Sequence, residues 1–362
     1  MEIVTTVNVI AVLIVMLGRR FRMGNPLLVA CWMLILFFGF RENYGNDVPM
    51  YEKTFRMINA EYVQLINEHW VGRLEIGWKL LNQFFRPFGF QTMLFFLTAV
   101  QFLTVYKLIH KYVSPRNEWI VFAFYLFSSS MMLVQLSMLR QGLSMNVVAL
   151  GLPYLFDKKY VKFFLVVLLA TSFHTSAWVA LGLIFIPWLT KLPWKVVALT
   201  AIGMFVALFF LRLALQNFMS SMLETDEFSR YQWYASKKYG TAAEIGTGIG
   251  FMANMVVFAF VLYINKYIRP QRRFFNYSYV ANYLCIPLSF LVQTISRLGM
   301  YFSFVGLPVI ADMADVCRLR HRYVERAVMF MFAAQTLYDY FKFFYSDIFR
   351  EHYLVYHSIF FG

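Results

Sequence analysis

Charge is what this chain has least of. Lys, Arg, Asp and Glu together make up 14% of its 362 residues, where a soluble domain carries roughly 25%. Acidic residues are the scarcer sign, 19 against 33 basic ones. Hydrophobic residues make up 60% and aromatics 20%, with a mean hydropathy of +0.58. Together with repeated long apolar runs, this excludes a soluble globular domain and leaves an integral, all-α membrane protein. Cysteine is nearly absent: Cys31 and Cys285 lie in apolar runs and Cys317 in a basic loop. That excludes a disulfide framework and a CxxC metal pattern. The six histidines are scattered, and neither HExxH nor DxD occurs, so no catalytic metal and no cofactor are expected. Also lacking are internal repeats, low-complexity tracts and any soluble module, and the chain reads as a single polytopic domain over 1–362.

The net charge of +14 would raise nucleic acid as a partner in a soluble protein. Here the basic residues sit in short clusters between apolar runs, and no aromatic RNA-binding motif accompanies them. Nucleic acid is therefore not an expected partner. The clusters read as topology determinants and contacts to membrane lipid headgroups. The first stretch, "MEIVTTVNVIAVLIVML", has its basic residues after it rather than before. That is the reverse of a cleavable signal peptide and predicts a retained helix with its N-terminus outside.

Apolar segments fall near 2–17, 26–40, 91–110, 118–136, 141–156, 161–189, 195–213, 249–266, 278–296, 298–314 and 327–345. The connections are of two kinds. One set is basic: "GRRFR" at 18–22, "HKYVSPRN" at 110–117, "DKKYVK" at 157–162, "TKLPWK" at 190–195, "NKYIRPQRR" at 265–273 and "CRLRHRYVER" at 317–326. The other is mixed or nearly uncharged, chiefly 41–90 and 214–248. The positive-inside rule puts the first set in the cytoplasm. Successive basic loops must then be separated by paired crossings, which holds except at 161–189. In the middle of that run "SFHTSAW" brings Ser172, His174, Thr175 and Ser176. Two short half-helices meeting at His174 restore the parity, with the turn buried or lining a cavity on the external side. About 12 membrane segments result. Residues 41–90 read as an external amphipathic segment and 214–248 as an external loop.

The polar residues hardest to dismiss then share one side of the membrane. Arg41, Asp47 and Tyr51 follow the second helix in "GFRENYGNDVPMY", and Glu75 lies in the first external segment. Arg140 and Gln141 open a helix in "SMLRQGLSMN", His174 and Ser176 form the break, and Arg297 sits in "QTISRLGMY". No acidic residue lies within five positions of Arg140 or Arg297, and ionisable residues at membrane depth usually face a cavity or ligand. Three arginines gathered externally would bind phosphate or diphosphate through planar, always-charged guanidinium forks. A lipid-linked substrate fits, its diphosphate at the interface and its tail in the bilayer. His174, with Asp47 or Glu75, would supply a general base, and Tyr51, Gln141 and Ser176 would contact substrate. Plainer readings stand beside these. Arg41 could snorkel to the interface, and His174 could satisfy the carbonyls of a kink. Asp47 and Glu75 could only neutralise arginines, and Tyr51 could belong to an aromatic belt.

The pattern R-x-x-x-G-x-D-x-x-x-Y in "FRENYGNDVPMYEKTF" resembles the EpsG family of bacterial polysaccharide-producing membrane proteins, which are Wzy-like polymerases. The likeness continues through "RLEIGWKLLNQF", "SMLRQGLSMNVVALGLPYL", "FDKKYVKF" and "ATSFHTSAWVAL", covering about the first half of the chain in order. The second half matches in hydropathy and in "SRLGMYF" alone. Asn46 departs from the family, which more often has Thr or Ser before the Asp. The resemblance implies an inverting, metal-independent glycosyltransferase in the bacterial cytoplasmic membrane. It would act outward on polyprenyl-diphosphate-linked glycan for exopolysaccharide, capsule or O-antigen. It also implies a chain-length regulator and a flippase of the same pathway as partners. Arg140 and Arg297, with Arg41, would stabilise the leaving diphosphate. Trp70, Trp78, Tyr231, Trp233 and Tyr234 would offer flat faces to sugar rings. Two other classes fit less well. A flippase of lipid-linked sugars would spread polar residues towards both membrane faces, and a membrane O-acetyltransferase would need a cytoplasmic donor route that the sequence does not display.

Overall fold

A computed structural model describes residues 1–58, 74–223, 248–289, 295–320 and 322–360, giving the helix path alone over 212–223. The chain divides into two units, Met1–Leu181 with Thr336–Gly362, and Gly182–Gln335. The described residues of both are helical almost throughout.

In the first unit, α1 (Glu2–Arg20) has Glu2 in its first turn and Arg19 and Arg20 in its last, each sign complementing the helix dipole. Helix α2 (Pro26–Gly39) starts on Asn25, whose Oδ1 accepts the Leu28 amide, with Pro26 at the first helical position, a standard start signal. It packs against α1 and against the later helix Phe90–Tyr112. A two-residue strand β1 (Arg41–Glu42) follows, then α3 (Val48–Ile58), α4 (Ile76–Phe85) and α5 (Phe90–Tyr112). Next come α6 (Glu118–Phe127), α7 (Met132–Ser137), α8 (Leu139–Leu150), α9 (Leu152–Phe156) and α10 (Tyr160–Thr171). A 3₁₀ stretch, Thr175–Phe185, carries the chain into the second unit.

The second unit holds α11 (Ile186–Leu189), α12 (Trp194–Leu223), α13 (Ile249–Ile264), α14 (Arg273–Ser289), α15 (Ser296–Val305) and α16 (Val309–Arg320). Helix α17 (Tyr323–Tyr345) ends in the first unit, where α18 (Arg350–Tyr353) and strand β2 (His357–Ser358) close the described chain.

Among the described residues, three helices are long and apolar enough to cross a membrane: Glu2–Arg20, Phe90–Tyr112 and the Trp194–Leu211 part of α12. A fourth counts if α15 and α16, bent by 58°, form one broken span. Four shorter apolar helices, Pro26–Gly39, Tyr160–Thr171, Thr175–Leu189 and Ile249–Ile264, fall below that length. This is an all-α membrane protein whose spans are more fragmented than its hydropathy predicts. The run at 118–136 breaks after Phe127, at Ser128–Ser130, and the run at 298–314 at Gly306–Pro308. Serine hydroxyls compete for backbone partners, and proline cannot continue the hydrogen-bond ladder. The break expected at His174 is present, between α10 and the 3₁₀ stretch. Helix α12 runs to Leu223, beyond the end of its apolar run. Most of the 214–248 segment, and 59–73 of the 41–90 segment, lie outside the described residues.

Candidate active site

The segment after α2 carries the densest polar sequence, and the fold spends much of it on fixing itself. Arg41 is 1% exposed. Its Nη1 donates to Phe38 O and Thr98 Oγ1, each at 2.7 Å, and its Nη2 to Leu136 O at 2.8 Å. One guanidinium thus ties α2 to α5 and α7. Burial pushes its pKa down, against the pull of Tyr356, Tyr353 and Tyr44. Strand β1 pairs antiparallel with β2, Arg41 opposite Ser358. The Gly45 amide donates to His352 O at 3.2 Å and Asn46 Nδ2 to Ile348 O at 2.7 Å. The C-terminal segment therefore straps the loop down, a contact with no signal in local sequence.

The strapped loop turns at Gly45, whose φ of +122° few L-residues adopt and whose added Cβ would meet Ser137 Cα at 3.1 Å. That close approach lets the Asp47 amide donate to Ser137 Oγ at 3.0 Å. Asp47 O accepts the Tyr51 amide at 3.0 Å, so Asp47 heads α3 and Tyr51 sits one turn on. The Tyr51 ring meets Trp78 edge-on at 5.4 Å. The Arg140 guanidinium lies 5.9 Å from the same ring and hydrogen-bonds the phenol. Burial pushes the Tyr51 phenol up, although Arg140 pulls it down.

Helix α4 buries Trp78, Asn82 and Phe85 and exposes an apolar stripe of Ile76, Leu80 and Phe84. Its start docks on the His174 turn: the Trp78 amide donates to Ser172 O at 3.2 Å. Gly77 permits this, because a Cβ there would fall 2.3 Å from Ser172 Oγ and 2.8 Å from Ser172 O. Glu75 occupies the cap position of α4 without capping it. Its carboxylate instead reaches across. Oε2 accepts from Arg140 Nη1 at 2.7 Å, and Oε1 from the Thr175 amide at 3.1 Å and Thr175 Oγ1 at 3.2 Å. His174 Nδ1 lies 3.9 Å from Oε1. Burial works to raise the Glu75 pKa, but Arg140, the Thr175 amide and His174 outweigh it and hold the carboxyl below its usual range.

His174 Nδ1 accepts the Ser176 amide at 3.2 Å and sits 3.2 Å from Ser176 Oγ. A neutral imidazole accepting at Nδ1 carries its proton on Nε2. The turn exists because hydroxyls in the last turn of α10 bond back to carbonyls, Thr171 to Leu168 O and Ser172 to Leu169 O, each at 2.7 Å, which weakens helical continuation. Ser144 Oγ of α8 takes the Ala170 carbonyl at 2.9 Å, which holds α10 to the helix carrying Arg140. Arg140 is the second residue of α8, 22% exposed, with its Nε buried and unpartnered among the described residues.

Asp47, Tyr51, Glu75, Arg140, His174 and Ser176 thus form one continuous cluster. Gln141 is buried on α8 beside it. Arg41 stands apart, committed to the protein's own carbonyls. Arg297 is exposed on α15 in the second unit, as the second residue of its helix. Trp78 is 0% exposed, so it presents no face to a sugar, because it belongs to the buried stripe of α4. Trp70, Tyr231, Trp233 and Tyr234 lie outside the described residues. The sequence reading did not single out Thr175 as a Glu75 partner or Ser137 as the anchor of Asp47, since a hydroxyl joined through tertiary contact leaves no local pattern.

A polytopic helical membrane protein with an arginine–carboxylate–histidine cluster at a broken helix is the class these features define. The chain matches the EpsG family over residues 25–358 and belongs to it. The match extends through the second half of the chain and into β2. It makes the protein a membrane component of polysaccharide biosynthesis. No curated protein and no solved structure matches the chain.

Proposed function

We propose that the protein joins polyprenyl-diphosphate-linked oligosaccharide repeat units on the external face of the bacterial cytoplasmic membrane, for exopolysaccharide, capsule or O-antigen. About 12 membrane segments would carry the cluster, with its site facing outward. The reading rests on one observation, the half-buried Arg140 held by Glu75 beside the His174 turn. Family membership supplies the pathway.

In this reaction a hydroxyl of one lipid-linked unit attacks the anomeric carbon of the growing chain. The bond from that carbon to the diphosphate oxygen breaks with its electron pair, the configuration inverts, and polyprenyl diphosphate leaves. Negative charge grows on the leaving group, so a fixed guanidinium there lowers the barrier. Arg140 fits, because its side chain is 22% exposed and a guanidinium carries more donors than the Nη1 that Glu75 engages. No step requires a metal, since the cation is an arginine.

Glu75 positions Arg140 rather than taking a proton. Its oxygens already accept from Arg140 and Thr175, and a carboxyl held below its usual range is a weak base. His174, protonated on Nε2, donates to a substrate oxygen. The acceptor proton then goes to Asp47, at the head of α3. Arg297 would add a second contact to the diphosphate, Gln141, Tyr51 and Ser176 would line the site, and Arg41 would brace the loop. The lipid-linked glycan is the partner, together with a chain-length regulator and a flippase of the same pathway.

Reconstitution with a synthetic polyprenyl-diphosphate repeat unit tests this. The expected result is a product ladder, unaffected by chelator, with release of polyprenyl diphosphate. Translocation of the lipid across vesicles without turnover would overturn it in favour of a flippase.

A further inference from the structure

A cavity of about 320 Å³ lies against α3, and nothing above uses it. Its volume is at the lower end of the range for small-ligand pockets. It belongs wholly to the first unit, between the 41–43 strand and turn, α3 and the start of α5. The two sites share elements. Asp47 and Tyr51 serve the cluster, while Glu52, Phe55 and Arg56 of the same helix line the cavity. Within the signature loop, Glu42 and Asn43 face the cavity a few residues before Asp47 joins the cluster.

The lining decides the ligand class. Its charged residues are Arg41, Glu42, Glu52 and Arg56, which sum to zero. Arg56 Nη2 is spent on Glu52 Oε1 at 2.5 Å. The Arg41 guanidinium donates to Phe38, Thr98 and Leu136, none of which lines this cavity. A diphosphate would need an excess of positive charge there, so the cavity is not a second leaving-group site. A lipid chain would need a dry apolar tunnel, and this one is ringed by carboxylates and amides that cost free energy to desolvate unpaired. What remains is a neutral, polyhydroxylated ligand with one apolar face. Phe55 and Phe90, with ring centroids 5.7 Å apart and planes inclined at 60°, supply the apolar wall, and the exposed Glu42 and Asn43 side chains supply acceptors and donors for hydroxyls. Asn43 is held at φ +50°, a left-handed conformation that Asn tolerates better than most residues.

We propose that this cavity is a saccharide subsite that holds an uncharged sugar of the acceptor glycan while its reacting hydroxyl extends to the cluster. The acceptor role rests on the polymerase reading above, whereas saccharide binding does not.

The test uses the full-length protein in nanodiscs and a diphosphate-free repeat-unit oligosaccharide released from the producing cell's own polymer. Saturation-transfer NMR on the wild type is expected to show transfer to sugar protons, with no competition from inorganic diphosphate. Glu42→Gln should weaken binding about tenfold, the effect of losing a charged hydrogen-bond acceptor. Ile359→Trp, at an exposed lining position, should abolish binding by filling the space. Both substitutions are at exposed positions, and unchanged melting temperatures would confirm that the fold survives. The proposal is overturned by absence of transfer to the wild type, by binding that neither variant alters, or by competition from inorganic diphosphate. Oligosaccharide binding without any product ladder would sink the polymerase reading and leave the subsite standing. A ladder without oligosaccharide binding would do the reverse.

Discussion

Arg140 Nη1 and Glu75 Oε2 lie 2.7 Å apart, an ion pair closed across 65 positions of sequence. Arg140 has no local acidic partner, so the pair depends on α4 and α8 being brought together. If Glu75 orients the guanidinium that receives the leaving diphosphate, the two residues act as a unit. Arg140→Ala is expected to slow ladder formation on the order of 100-fold or more, the usual cost of one fixed transition-state donor. Glu75→Ala, which keeps the cation and loses its orientation, should slow it about tenfold. The double variant should be no slower than Arg140→Ala alone. Multiplicative losses would show that the two act independently.

Arg41 supplies the contrast. With both its Nη nitrogens given to protein acceptors and 1% exposure, its removal deletes three buried hydrogen bonds from a charged group, to Phe38 O, Thr98 Oγ1 and Leu136 O. Hydrogen bonds to a charged group contribute about 1.5–3 kcal/mol each. Arg41→Ala should lower the melting temperature of the purified protein by many degrees, and Arg41→Lys should recover little, because an ammonium cannot reproduce the fork. Arg140→Ala, which breaks a pair that is only partly buried, should lower it less. A stable Arg41→Ala protein that had lost diphosphate binding would return Arg41 to the substrate.

The differing fates of these arginines show what the sequence can carry. Composition, loop charge and the spacing around Asp47 and His174 were enough for the class, the broken helix and the family, because each depends on local pattern. The grouping of Asp47, Glu75, Arg140 and His174 was legible only as residues out of place in apolar surroundings. Which of them pairs with which was not legible, since Thr175 and Ser137 join through tertiary contact. Arg41 misled for the same reason: a guanidinium facing carbonyls and one facing solvent look alike in sequence. The strap from His352 to Ser358 left no sign at all, and Trp78 read as a platform until the buried stripe of α4 was seen. Arg297 belongs to the second unit, and its part in the site stays with the proposed function.

Glu75 also sets an acid limit. Its carboxyl is held below the usual range by Arg140, Thr175 and His174 despite burial. A depressed folded-state pKa gives stability that is present above the unfolded value, about 4.3 for Glu, and is lost as pH falls through the folded value. The melting-temperature difference between wild type and Glu75→Gln should therefore be constant from neutrality to about pH 5 and shrink only below about pH 4. A difference already collapsing between pH 7 and pH 6 would contradict the assignment.

Gly77 tests whether the His174 turn must dock on α4. A methyl group there meets Ser172 Oγ at 2.3 Å and Ser172 O at 2.8 Å, and the backbone oxygen cannot rotate away. Gly77→Ala should destabilise by about 1–3 kcal/mol, the usual cost of overpacking. It should also reduce transfer, because Glu75 is carried by the displaced helix. Adding Ser172→Ala removes the closer clash and should restore part of both. Wild-type behaviour of Gly77→Ala would mean that the turn and α4 are not tightly docked.

His174 can be assigned atom by atom. Its Nδ1 accepts the Ser176 amide at 3.2 Å, so the neutral ring offers a proton from Nε2. A donor at that position stabilises charge on substrate oxygen, whereas a general base needs a lone pair there. Glutamine places an amide N–H near where Nε2 lies, and asparagine places its amide near Nδ1. If donation is the function, His174→Gln should retain markedly more activity than His174→Asn, with His174→Ala the slowest. Neither amide can act as a base at neutral pH, so equal and complete loss in all three variants would restore His174 as the base. Retention confined to His174→Gln would leave Asp47 to take the proton. Asp47→Asn should then reduce the rate of transfer without weakening binding of the lipid-linked donor, a split readable as a fall in kcat at constant KM.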